Sequence, residues 1–359
     1  LILCVVCSAL LFVACRVPGA VRPTAKIGLV APFEGRYRYV GYDLFPAVRM
    51  AVREANAAGG IEGVFVELVA YDDAADPAVA VQQAQKLAVD PDVVAVIGHF
   101  RDGTTAAAVP SYVEANLPLL APAVLDPDLG SGNDVVFRFG SDASAVAAAM
   151  LEGVGAAALV TDGGVLGQAL LDGASERGIS LAPVVSPGTP GWVDTIKRAG
   201  LATVICATDP VAAGEVAMAL HTGGWEGTLL GGPSLGAEDF VAVGADAAQG
   251  ALFVTPWLPF EATEEGFVAA YTSISGGPRP GRLTLPAYQA AGLLLEALRL
   301  DVAAHQTPSR AGMAAALAEL VTSWPAADGA IYRYRIGATG APEPVSSDMS
   351  QSVWAGPVF

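Results

Sequence analysis

Residues 27–63 read IGLVAPFEGRYRYVGYDLFPAVRMAVREANAAGGIEG. The opening, residues 26–31, is a short apolar run stopped by Pro32, the pattern of a buried strand. Over residues 43–58 the apolar positions Leu44, Val48, Ala51, Val52 and Ala55 recur at the 3.6-residue period of a helix, and Gly59 and Gly60 supply its C-cap. The same unit repeats downstream. Residues 64–71 alternate as a strand, and Asp76 and Pro77 stand as N-cap and first residue of a helix reaching Val89. Strand 93–97, helix 104–116 and strand 117–121 follow. Strands and helices in strict succession imply a parallel sheet with helices on both faces.

After a strand at 135–139 the pattern restarts: helix 144–153, strand 156–161, helix 166–177, strand 179–185, helix 192–199, strand 202–206, helix 210–222, and strands 228–230 and 251–255. Residues 255–260, with Pro256 and Pro259, read as a crossing, and helices 261–273, 285–300 and 309–321 return to one of the two halves. The expected fold class is α/β, two doubly wound parallel-sheet lobes joined by a multi-crossing hinge. Lobe 1 takes residues 26–141 and 257–335, and lobe 2 takes 142–256 and 336–359. A ligand belongs in the cleft between them, at the carboxyl ends of the strands.

The length of 359 residues suits two domains at roughly 150 residues each. Hydrophobic residues make up 53% and charged ones 15%, enough for large cores. Acidic residues outnumber basic ones 36 to 19, and the net charge of −17 argues against nucleic acid as a partner. The mean hydropathy of +0.48 comes from Ala and Val spread along the chain rather than from one membrane-spanning run. Residues 1–15 read as a signal peptide and 16–25 as a linker. The apolar run before Cys15 is too short to cross a bilayer. Phe12, Val13, Ala14 and Cys15 resemble a bacterial lipobox, which makes Cys15 the candidate lipidation site and a lipid the only expected membrane attachment; an ordinary cleaved signal is the other reading. Cys206, the one cysteine beyond that region, closes an apolar run and reads as a core residue.

Gly232, Pro233, Ser234, Leu235 and Gly236 spell G-x-S-x-G after a strand, so a serine hydrolase using Ser234 is an alternative function. Against it, the chain holds only His99, His221 and His305, and His305 falls in the polar stretch 301–308, expected to be a surface loop. Gly163, Gly164 and Gly167 lack the dinucleotide spacing and a Walker lysine, and read as a loop opening onto the cleft. Asp72, Asp73 and Asp76 lack EF-hand spacing and read as capping and solvated acids. No Cys or His spacing indicates zinc. No catalytic residue, metal or cofactor is expected.

Together with YDDAADP from Tyr71, AVIGHF from Ala95, LPLLAPAVLDPDL from Leu117, FRFGSDA from Phe137 and AYQAAGLLLEAL from Ala287, residues 27–63 resemble, in the same order, the type I periplasmic solute-binding proteins of the branched-chain amino acid (Leu/Ile/Val) group. The resemblance implies a monomeric, non-enzymatic receptor outside the cytoplasm, periplasmic or lipid-anchored. Such a receptor closes on a small molecule and delivers it to an ABC permease in the membrane. An extracytoplasmic ligand-sensing domain is a second reading. In that group two hydroxyls hold the ligand carboxylate, an aromatic precedes the second-lobe helix, and an acid holds the ammonium. Asp102, Leu125, Leu166 and Ser234 stand at those positions here, so the expected ligand is not an ordinary zwitterionic branched-chain amino acid. Asp102 is expected either to face a donor or cationic group of the ligand or to cap the helix opening near Thr104. The candidate ligand-binding residues are Phe33, Tyr37, Tyr39, Phe100, Asp102, Ala123, Leu125, Leu166, Ser234 and Trp257. Aromatics with an acid suit a cation or a neutral ligand. Arg36 and Arg101 suit an anion, and the residues leave that choice open.

Overall fold

Strand β1 (Thr24–Ala31) buries Ile27, Leu29, Val30 and Ala31 almost completely, as a strand covered on both faces must. The computed structural model describes residues 22–138, 140–257, 265–277, 280–323 and 330–345. In it β1 lies between β2 (Phe65–Asp72) and β3 (Val93–Gly98). With β4 (Leu119–Ala121) and β5 (Val136–Arg138) the order is β2-β1-β3-β4-β5, parallel throughout. Helix α1 (Arg38–Ala57) starts earlier than its apolar stripe indicates, but that stripe, Leu44, Val48, Ala51, Val52 and Ala55, is the face it buries. Gly60 follows at a φ of 85°, where a Cβ would sit 2.5 Å from the Val64 carbonyl, so only glycine makes this turn. The Asp76 carboxylate accepts from the amides of Ala78 and Val79 at the start of α2 (Pro77–Ala88). Helix α3 (Asp102–Glu114) completes this set.

The second sheet is built from α4 (Ala143–Leu151), β6 (Ala156–Thr161), α5 (Val165–Arg177), β7 (Ser180–Val185), α6 (Trp192–Ala199), β8 (Thr203–Ala207), α7 (Pro210–Thr222), β9 (Thr228–Gly231), α8 (Glu238–Gly244) and β10 (Leu252–Thr255). The chain then returns. Helices α9 (Glu265–Ser275), α10 (Thr284–His305) and α11 (Arg310–Ser323) place Phe267, Leu293, Leu294 and Leu317 in one buried cluster with Leu29, Leu44 and Ile97 of the first lobe. Small residues of α10, among them Ala287, Ala290, Ala291 and Gly292, are buried, and the Tyr288 hydroxyl donates to Glu54 Oε2 of α1 at 2.6 Å. The Arg310 guanidinium donates to the carbonyls of Ala88, Asp90, Val93 and Ala115, tying α11 to the ends of α2 and α3.

Strand β11 (Tyr332–Ile336) pairs antiparallel with β10, and β12 (Pro342–Pro344) with β11, giving the order β12-β11-β10-β9-β8-β6-β7. This corrects the lobe boundary expected between 335 and 336. It would cut β11, whose Tyr332 registers with Thr255 and Arg335 with Leu252, so the whole strand belongs to the second sheet. His305 is also not in a loop: it ends α10, its Nδ1 2.8 Å from the buried Asp301 carboxylate. Cys206 is fully buried, and burial pushes its thiol up to about 12. The expected signal peptide with Cys15, most of the linker, and residues 258–264 of the expected crossing and helix lie outside the described residues.

Candidate functional site

Both sheets reverse strand order beside their first strand, with β2 and β3 flanking β1 and β7 and β8 flanking β6. At such a point successive loops splay to opposite faces and leave a crevice beyond the carboxyl ends. The crevices face each other and enclose a cleft of about 500 Å³. The first lobe contributes Tyr39, Phe100, Arg101, Asp102, Thr104, Ala123 and Leu125; the second contributes Asp162, Leu166, Gly167, Thr208, Asp209, Pro233 and Ser234. Trp257, from the crossing after β10, and Arg282, from the turn before α10, complete it.

Of the ten candidate residues, Tyr39, Phe100, Asp102, Ala123, Leu125, Leu166, Ser234 and Trp257 line this cleft. Phe33 does not. Its ring meets Phe45 edge-on at 6.1 Å and lies so close over α1 that a Cβ on Gly41 would come within 2.4 Å of it. Tyr37 sits outside the lining as well. Its ring lies 3.7 Å beneath the Arg101 guanidinium, and its hydroxyl reaches Asp209 Oδ2 at 3.5 Å. Beside it Arg36 pairs with Asp209 Oδ1 at 3.1 Å, joining the first lobe to the start of α7 in the second. The same Asp209 oxygen accepts the Val211 and Ala212 amides as the N-cap of α7.

The loop after β3 is held from beneath. Phe100 adopts a φ of 70°, a left-handed conformation that costs a non-glycine residue ~1–2 kcal/mol. His99, fully buried, turns Nδ1 to Asp73 Oδ2 and Nε2 to the Tyr112 hydroxyl, both at 2.9 Å. Facing a carboxylate, Nδ1 must donate. Thr105 adds a second clamp, its hydroxyl donating to the Arg101 carbonyl at 2.6 Å. Asp73 is therefore not a solvated acid as expected: it has no exposure, and it spends Oδ1 on the Ala75 amide.

Of the two readings of Asp102, the cap does not hold. The N-cap of α3 is Arg101, so Asp102 does not cap that helix from outside but lies in its first turn. Its Oδ1 accepts the amides of Leu125 and Asp126, each at 3.0 Å, and so pins the loop that carries Ala123 and Leu125. Burial raises its carboxyl above the ordinary range, with those amides opposing. On the second wall α5 presses onto β6, where a Cβ on Gly167 would meet Thr161 Oγ1 at 2.1 Å. Ser234 lies in the tight turn Pro233–Gly236, while His99 and His305 are engaged with Asp73 and Asp301. Among the described residues no cluster of three or more His, Cys, Asp or Glu is placed to hold a metal.

Asp162, Asp209 and Arg282 were not anticipated. Asp209 followed by Pro210 carries the same cap signal as Asp76 and Pro77, and Asp162 directly follows β6, so both were open to recognition. Arg282 lies in a Pro- and Gly-rich turn with no periodicity to mark it.

The chain belongs to the periplasmic binding protein family, which it matches over residues 24–343. It is 29% identical over 244 residues to the Leu/Ile/Val-binding protein homolog 3 of Brucella melitensis, an alignment covering 63% of this chain and 66% of that one. The chain thus spans just under two thirds of that relative's length, and about a third of other relatives it matches. A leucine binding protein from Thermotoga maritima superposes with a TM-score of 0.79 at 19% identity, covering 90% of this chain and 98% of that one. The branched-chain amino acid transporter substrate binding protein of Streptococcus pneumoniae, solved with isoleucine, superposes at 0.77 and 20% identity, covering 89% and 98%. The fold is the type I arrangement that the sequence resemblance implied.

Proposed function

We propose that this chain is the extracytoplasmic solute-binding receptor of an ABC importer, taking a small organic molecule into the interlobe cleft, closing on it and presenting it to a membrane permease. The observation that carries this reading is the pair Arg36–Asp209: side chains 173 residues apart, on opposite walls, meet at 3.1 Å beside the cleft. A ligand touching both walls only when they are together shifts the population toward closure. The moving lobes are residues 26–141 with 257–331, and 142–256 with 332–345. Binding rather than catalysis is the role, and the receptor acts as a monomer.

The relatives' names speak of leucine, isoleucine and valine. Asp102, Leu125, Leu166 and Ser234 at the resembling positions favour a ligand other than an ordinary zwitterionic branched-chain amino acid. No helix among the described residues is long and apolar enough to cross a membrane. The attachment is a lipid on Cys15, and retention in the membrane fraction should vanish in Cys15→Ser; equal release of wild type and variant would refute it. The receptor reading itself is tested by mass spectrometry of whatever the purified protein releases on denaturation. Small-angle scattering with and without that compound then follows, and an unchanged radius of gyration would count against closure.

A further inference from the structure

The acids that line the cleft already give oxygens to protein donors. Asp102 serves the Leu125 and Asp126 amides, Asp162 the Gly164 amide, and Asp209 the start of α7 together with Arg36. Arg282 is different. Its guanidinium stands 5.8 Å from the Tyr39 ring centre and 5.3 Å from that of Trp257, two aromatics of the cleft lining, and its Nε is buried without a hydrogen-bond partner among the described residues. Leaving a charged donor buried and unpaired is expensive.

The position is costly in a second way. Arg282 comes immediately before the N-cap of α10, a helix of 22 residues whose N-cap, Leu283, offers no side-chain acceptor. A cation at the positive end of a helix works against the macrodipole. The Asp43 carboxylate accepts the Leu283 amide and acts on Arg282 through its charge, as does Asp239. The two ring faces and the charge of Asp43 favour a guanidinium here, but none of them takes its Nε–H, and an anion in the cleft would supply that acceptor.

We infer that Arg282 anchors an anionic group of the ligand, so that the cleft takes a carboxylate borne on an apolar or aromatic body. This rests on the receptor reading above and adds the ligand's charge to it. The carboxylate meets the guanidinium, and the body packs among Trp257, Tyr39, Phe100 and Leu125, which line the same space.

Calorimetry on matched probes separates charge from shape: phenylacetate against phenylacetamide, 4-hydroxybenzoate against 4-hydroxybenzamide, and isovalerate against isovaleramide, each on the wild type and on Arg282→Gln. At least one acid should bind the wild type tens of fold more tightly than its amide, the loss usual when one partner of a buried charge pair is removed. In Arg282→Gln, with its fold checked by circular dichroism, acid and amide should fall within a few fold of each other. The acid-to-amide ratio of the wild type stands even if the variant does not fold. Equal binding of acid and amide, or acid binding unchanged in Arg282→Gln, overturns the inference and leaves the receptor reading intact. If no probe binds, the compound released from the purified wild type decides: an acid whose affinity drops in Arg282→Gln supports the inference, and a neutral or cationic compound overturns it. A wild type that binds no probe and releases nothing overturns the receptor reading itself.

Discussion

Replacing Asp102 separates acceptor geometry from charge in the first-lobe wall. One carboxylate oxygen holds two amides, Leu125 and Asp126, at 3.0 Å each, and through them the loop bearing Ala123 and Leu125. Because burial raises this carboxyl above its ordinary value of 3.8, its contribution to stability is fully present below that value and is lost as pH rises through the folded-state value. At neutral pH the charge is thus a cost and the acceptor a gain. Asp102→Asn keeps an oxygen for both amides and removes the charge, so its stability should lie within about 1 kcal/mol of the wild type. Asp102→Ala leaves both amides without an acceptor. At about 1–3 kcal/mol per unpaired group, trimmed because the site is half-open to water, the loss should be about 2–4 kcal/mol. Urea denaturation at pH 7 followed by circular dichroism gives both values. Equal destabilisation by Asn and Ala would mean that charge holds the loop, and the reasoning would fail.

Packing pushes the Asp43 carboxyl up to about 7 from 3.8, so stability should fall as pH rises from about 4 through 7. The ceiling is ~4 kcal/mol at 1.36 kcal/mol per unit, reduced by the residue's partial solvent contact. Asp43→Asn should flatten that profile in urea titrations at pH 4.5 and 7.5, and a wild-type profile already flat would contradict this. Tyr112→Phe removes the hydroxyl that His99 Nε2 meets in a site closed to water. It should cost about 1–3 kcal/mol by the same denaturation assay, and no loss would mean the network is not holding the Phe100 loop. Arg36→Ala should shift the ligand-free protein toward an open form, raising the radius of gyration in low salt, and 0.5 M salt, roughly the range where exposed pairs are screened, should act alike on the wild type. No change in either experiment would show that the pair does not hold the walls.

The parallel-sheet architecture was legible because β1 and α1 announce themselves locally, one as a buried apolar run and the other as a 3.6-residue stripe. Helix α8 was not, since its seven residues are too few to display a period. Strand β11 reads YRYRI and does alternate, burying Tyr334 and Ile336, but over five residues with two arginines, and its register is set only by β10. Arg333 of that strand is satisfied by Glu152 and the Ala149 carbonyl, partners far away in sequence. The site divides in the same way. Residues at strand ends, such as Phe100 and Asp102, were reachable by counting from β3. Asp73 and His99 meet because β2 and β3 flank β1, and a stretch of acids read alone gives no hint of a buried imidazole next to it. Arg282 depends on how α10 seats against α1, a tertiary fact with no local signature.

Hydrogen exchange, measured with and without the compound that the purified protein releases, reports on both walls of the cleft at once. If one ligand is gripped from both lobes, amides in residues 100–105 of the first lobe and in 162–167 and 208–212 of the second should slow together on binding. Protection confined to one lobe, with the other exchanging as in the free protein, would contradict an interlobe binding site.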